Sequence, residues 1–147
     1  MKTKLIKAHM ATARTYAELS HARRLHVGAI VVKDDRIISI GYNGMPAGWD
    51  NNCEFESTDP QTQVKELVTR REVLHAETNA IAKLARSNES GLGADLFITH
   101  APCLDCAKLI YQAGISRVWF GADYRDDAGI RFLKQSGITV TKVDNDE

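Results

Sequence analysis

The chain has no surplus of either charge: 19 Lys and Arg stand against 19 Asp and Glu. Proteins that grip a nucleic-acid polymer draw most of their affinity from phosphate neutralisation and carry a positive excess. No polymeric nucleic-acid partner is therefore expected, although a mononucleotide phosphate, which needs only a few cationic or N–H donors, remains compatible. The sequence also lacks an apolar run long enough for a membrane span or a signal peptide. No membrane partner and a cytoplasmic location are the expectation. Cysteine is scarce, with only Cys53, Cys103 and Cys106. An odd count containing one close pair is not a disulfide framework, and in a reducing compartment such a pair binds metal or does redox chemistry. Internal repeats and low-complexity segments are missing too. The 147 residues, 44% of them hydrophobic, suffice for one buried core. A single domain over residues 1–147 is expected.

What is present alternates between two periodicities. Leu5, Ile6, Met10, Ala13 and Ala17 give helical spacing between Lys2 and Ser20. Val27–Val32 and Arg36–Ile40 are β-prone, and the short polar turn between them predicts an antiparallel hairpin. Gly41-Tyr42-Asn43-Gly44-Met45-Pro46 is a turn-rich loop. An insertion of about residues 47–72 is polar and irregular, with a helical stretch expected near Val64–Val68. His75–Arg86 reads as a helix, Asp95–Thr99 as a strand, Cys103–Ala113 as a helix and Arg117–Gly121 as a strand. Asp127–Gln135 is a helix stopped by Gly137, and Ile138–Val143 is the last strand. This order predicts an α/β fold, a three-layer α-β-α sandwich with a central mixed five-stranded sheet whose last two strands are parallel. The acidic tail Asp144–Glu147 reads as frayed.

Chemistry concentrates in His75-Ala76-Glu77 and Pro102-Cys103-Leu104-Asp105-Cys106, each at a predicted helix start. His75, Cys103 and Cys106 supply three ligands to a borderline-soft metal, the number left when a catalytic zinc keeps one position open. Helix N-termini favour thiolate over thiol. Two thiolates and a neutral imidazole cancel the charge of Zn2+, so bound water is acidified only weakly and a neighbouring base helps. Glu77 is placed for that role. By itself the CxxC pair also fits a structural zinc half-site or a redox couple.

The H-x-E…P-C-x-x-C pattern resembles the zinc-dependent cytidine deaminase superfamily. Within it, Val27–Val32, the strand into GYNGMP, the long insertion and Ala107-Lys108-Leu109-Ile110-Tyr111-Gln112-Ala113-Gly114-Ile115 are similar to deoxycytidylate (dCMP) deaminases, viral members included. The resemblance implies a Zn2+ centre on His75, Cys103 and Cys106, with Glu77 as proton shuttle. It implies attack of zinc-bound hydroxide on C4 of cytosine, converting dCMP to dUMP and ammonia and supplying dUMP for thymidylate synthesis. It further implies substrate contacts from Asn43, Ala76, Arg24 and Tyr124. Arg24 fits the family's basic position better than Arg23, while Arg125 is read as facing solvent. His26 and His100 are candidates to line the pocket. Enzymes of this kind are often homohexamers, activated by dCTP and inhibited by dTTP with Mg2+. The loop Gly41, Tyr42, Asn43, Gly44, Met45, Pro46, with the insertion, is where that effector site is expected.

This chain departs from the family in lacking a cysteine just before the first strand, at Ser20-His21-Ala22. With only Cys53 spare, that residue is read as a free thiol. Two other readings stay open: a sibling deaminase acting on dCTP, cytidine, tRNA adenosine, guanine or a riboflavin precursor, and a non-catalytic zinc module. Glu77 argues against the module, which needs no carboxylate beside an open coordination position.

Overall fold

The fold is taken from a computed structural model, in which residues 1–144 are described. Asp144 is exposed there, and the remainder of the acidic tail expected to fray lies outside the described residues. The elements run α1 (Thr3–Ala17), β1 (Gly28–Lys33), β2 (Arg36–Tyr42), β3 (Glu54–Thr58), β4 (Lys65–Thr69), α2 (Ala76–Ala85), β5 (Asp95–His100), α3 (Leu104–Gln112), β6 (Arg117–Ala122), α4 (Ala128–Gln135) and β7 (Thr139–Lys142). Five strands form the main sheet in the order β2-β1-β5-β6-β7. Strand β1 is antiparallel to both β2 and β5, whereas β5, β6 and β7 are mutually parallel. The expected mixed sheet with a parallel final pair is therefore present. Asp34 and Asp35 close the β1–β2 turn with φ of 52° and 58°, the left-handed pair that a tight hairpin requires.

Alternation along the central strands builds two cores. Ala29, Val31, Leu96, Ile98, Val118 and Phe120 face α2, α3 and α4. Ile30, Val32, Phe97 and Trp119 face Met10 and Ala13 of α1. Strands covered on both sides have no polar face, which is why β1 and β5 read as continuous apolar runs. Full burial of Phe97, Ile30 or Leu96 contributes about 2 kcal/mol each. Gly137 takes a φ of 86° immediately after α4 and ends that helix as expected.

One expectation fails. The stretch near Val64–Val68 is not helical; Lys65–Thr69 is strand β4, paired antiparallel with β3 in a separate two-stranded sheet. Five residues without a capping side chain cannot sustain a helix in water. The hairpin instead satisfies their backbone groups, and Asp59-Pro60 supplies the reversal, with Asp59 Oδ1 accepting from Gln61 N at 2.8 Å.

This topology selects where chemistry can occur. Because β1 runs against β5, the start of β1 lies beside the carboxyl ends of β5 and β2. The segment 20–27, the end of β2, the β5–α3 connection and the β6–α4 connection all open on one edge of the sheet. Ligands of α/β sheets bind outside such strand ends.

Candidate active site

That edge holds a cavity of about 460 Å³. Among its lining residues, His75 is the N-cap of α2 and Cys103 the N-cap of α3, both in extended backbone conformation. Cys103 Sγ accepts a hydrogen bond from Cys106 N at 3.5 Å, the capping interaction that also draws Cys106 into the first turn. His75 Nδ1 lies 3.2 Å from Cys106 Sγ and 3.7 Å from Cys103 Sγ. All three donor atoms fall within 4.8 Å of one another, the one such group among the described residues. A tetrahedral zinc with ordinary Zn–S and Zn–N bonds has ligand–ligand edges of roughly 3.5–3.8 Å, so the donor set fits that ion in chemistry and in size.

Two thiols beside an imidazole also share protons unequally. Hydrogen bonds from Cys106 and His75 lower the Cys103 thiol to about 4. The same contact with Cys103, reinforced by burial and by Glu77, raises Cys106. The hydrogen bond to Cys103 raises His75 as well. Such a crowd of acidic groups is what a dication neutralises.

Glu77, on the first turn of α2, is 3% exposed and lines the same cavity. Burial pushes its carboxyl up to about 7, against the opposing pull of its own backbone N–H and of His75. A buried carboxyl beside the donor set is placed to take up and return a proton.

The packing that holds α2 in place starts in β2. A Cβ at Gly41 would sit 2.4 Å from Ala76 O and 2.6 Å from Ala80 N, so only glycine lets the helix rest directly on the strand. Ser39 Oγ donates to Ala80 O at 2.6 Å and Asn79 Nδ2 to Tyr42 O at 2.8 Å. Gly44 pairs with Leu74 in a β-bridge, which ties the GYNGMP loop to the residue preceding His75. On the other side α4 presents Gly129, whose missing Cβ would fall 2.2 Å from Pro102 O.

Arg24, Asn43, His75, Ala76, Glu77, His100, Cys103 and Tyr124 are brought together around the cavity, and Cys106 completes the donor group beneath it. Asn43 is already engaged: its Oδ1 accepts from Val27 N at 2.9 Å and its Nδ2 donates to Leu25 O at 2.8 Å. The amide thus braces the 25–27 segment. His100 contacts Thr99 Oγ1 through Nδ1 at 2.9 Å, and burial lowers its basicity. Gly28 N donates to the same hydroxyl at 3.1 Å, which ties the start of β1 to the end of β5. Arg23 turns away onto Glu54 and Asn52. His26 Nε2 bonds Ala22 O at 2.6 Å and does not line the cavity. Of the GYNGMP loop only Asn43 reaches the cavity. Cys53 is a free thiol, as read, and is buried.

Sequence reasoning missed Glu54, Thr69 and Asp123 in the cavity wall and placed Arg125 in solvent. Arg125 is exposed, yet it lines the cavity with its guanidinium 6.0 Å from the Tyr124 ring centre. No periodicity marks a lone carboxylate in a polar insertion, so Glu54 carried no signal. The charge pattern of the rim follows. Asp123 is matched by Lys142 at 2.8 Å and Glu54 by Arg23 at 3.3 Å. The guanidinium groups of Arg24 and Arg125 have no carboxylate partner among the described residues, which leaves the mouth cationic.

Comparison with known proteins agrees with this geometry. The family profile for the cytidine and deoxycytidylate deaminase zinc-binding region matches residues 3–122. ComE operon protein 2 of Bacillus subtilis is 37% identical over 139 residues, 94% of this chain and 70% of that protein. The deoxycytidylate deaminase of phage T4 is 35% identical, covering 80% of this chain and 78% of its own. The crystal structure of dCMP deaminase from cyanophage S-TIM5 in complex with dCMP and dUMP superposes with a TM-score of 0.86 at 42% identity, over 97% of this chain and 99% of that one.

Proposed function

The chain belongs to the zinc-binding cytidine and deoxycytidylate deaminases, and from that premise we propose that it hydrolyses dCMP to dUMP and ammonia as one deaminase unit. The observation that carries the reading is the meeting, at one cavity, of an N,S,S donor set, a buried carboxyl beside it and two guanidinium groups free of carboxylate partners. The phage T4 relative and the S-TIM5 structure, whose names specify dCMP, support it.

His75, Cys103 and Cys106 would hold Zn2+, which when bound acidifies water and polarises its oxygen for attack. Glu77 would accept a proton from the attacking water and deliver it to N3 of cytosine as oxygen adds to C4. A second proton passes through Glu77 to the amino nitrogen, the C4–N bond breaks, ammonia leaves and the carbonyl forms. Ala76 occupies the first position of α2, where backbone N–H groups lack an intrahelical acceptor, and offers one to the base. Tyr124 flanks the nucleotide, and Arg24 meets its phosphate. Asn43 shapes the sugar side through the backbone it braces.

The test is ammonia release from dCMP, dCTP, cytidine and adenosine at equal concentration. Fastest turnover of dCMP is expected; a chain that prefers cytidine or adenosine is a sibling enzyme.

Regulation belongs to the same proposal. A second cleft of about 410 Å³, lined by Met45, Trp49, Asp50, Asn52, Arg70 and Glu72, adjoins the GYNGMP loop, and the Gly44–Leu74 bridge connects that loop to His75. Activation by dCTP and inhibition by dTTP with Mg2+ are expected in a homohexamer located in the cytoplasm. A hyperbolic rate curve indifferent to both triphosphates, or a monomer by sedimentation, would remove these parts alone.

A further inference from the structure

The β3–β4 hairpin does more than fill the insertion. Glu54 opens β3 and pairs in register with Thr69 at the end of β4, so the two residues form one rung. Each side chain of that rung grips Arg24. Glu54 Oε2 accepts from Arg24 N at 2.9 Å and from Arg23 N at 2.8 Å. Thr69 Oγ1 accepts from Arg24 Nη1 at 3.0 Å. The backbone and the guanidinium of one arginine are therefore fixed from the same piece of sheet.

The charges are sorted by the same contacts. Glu54 is 1% exposed and lines the cavity, where a bare carboxylate would repel an anion. Its two oxygens are instead occupied by two backbone N–H groups and by Arg23 Nε at 3.3 Å. Arg23 absorbs the negative charge and donates onward to Asn52 Oδ1 and Glu54 O. The Arg24 guanidinium meets only a neutral hydroxyl, which orients the side chain without consuming its charge. A long flexible cation held in place before its ligand arrives loses less freedom on binding.

We propose that the Glu54–Thr69 rung is a positioning device that aims Arg24 at the 5′-phosphate, making the hairpin the element by which the enzyme favours a nucleoside monophosphate over the free nucleoside. This rests on the reading of the cavity as a dCMP site. Neither residue touches the reacting atoms; both act through Arg24.

The experiment compares zinc-loaded wild-type protein with Thr69→Val, Thr69→Ser, Glu54→Gln and Arg24→Ala. It follows kcat and KM for dCMP and, by calorimetry, the binding of dUMP against deoxyuridine. Thr69→Val should raise KM for dCMP and weaken dUMP roughly three- to tenfold, the scale of one orienting hydrogen bond, while kcat falls less than twofold. Deoxyuridine binding should not change, and Thr69→Ser should recover the wild-type values. Glu54→Gln should show the same phosphate-selective loss. Equal losses for dUMP and deoxyuridine would reduce the rung to a structural brace and overturn the proposal, as would an unchanged KM in Thr69→Val. Should Arg24→Ala weaken dUMP while Thr69→Val does not, the rung fails and the phosphate site stands. If Arg24→Ala is also silent, or dCMP is no substrate, the underlying reading fails instead.

Discussion

Gly129→Ala is the sharpest perturbation of the donor group, because two effects oppose each other with known sizes. Within a helix, alanine is favoured over glycine by about 1 kcal/mol, so propensity alone predicts a stabler protein. At this position the new methyl would sit 2.2 Å from Pro102 O and 2.8 Å from Cys103 O, whereas real Cβ contacts almost never fall under 3.0 Å. Something must yield by about 0.8 Å, and the atoms met are backbone, which cannot rotate away. Overpacking of that order costs typically 1–3 kcal/mol, which cancels or exceeds the propensity gain. The strain falls on the peptide that carries Cys103, and displacing a ligand from its bonding position weakens metal binding. Zinc affinity should therefore drop about tenfold or more, read by competition with a chelating dye, while the melting temperature of the metal-free protein falls by a few degrees. A variant that binds zinc like wild type and melts higher would show that α4 simply moves aside, and the claim that it presses the Cys103 loop into place would be wrong.

Glu77→Gln should retain zinc by elemental analysis while turnover of dCMP falls about 10²- to 10⁴-fold, and near-normal rates would remove the proton shuttle. Cys106→Ala should lose metal and stability together, since the ligand couples binding to folding; full occupancy would contradict the donor assignment. Glu54 gives a pH signature. Although burial pushes its carboxyl up, the N–H groups of Arg24 and Arg23 and the Arg23 side chain outweigh it and hold the folded value below the ordinary 4.5. Its contribution is thus present above pH 4.5 and is lost as pH falls towards the lower folded value, so the melting temperature of Glu54→Gln should depend less steeply on acid pH than that of wild type. Asp35→Gly should raise stability by about 0.5–1 kcal/mol in denaturant melts, because a φ of 58° strains any residue with a Cβ.

Sequence by itself determined the parts that depend on near neighbours. Helix starts at His75 and Cys103, continuous β-prone runs in the central strands and the polar turn at Asp34-Asp35 are local, and their periods and spacings survive folding unchanged. The N,S,S donor set was legible for the same reason: two helix starts, each bearing its ligands within three residues, need only be brought face to face. Tertiary structure decided everything that depends on which strand ends share an edge. The antiparallel entry of β1 beside β5 places Arg24, Asn43, His100 and Tyr124 around one cavity although they lie far apart in the chain. It also turned Lys65–Thr69 into a strand, because pairing with β3 satisfied backbone groups that a five-residue helix could not. The separation of two adjacent arginines, one neutralised by Glu54 and the other left charged at the cavity mouth, came from a partner some 30 positions away. Charge is written in the sequence, but whether it is spent depends on what folds against it.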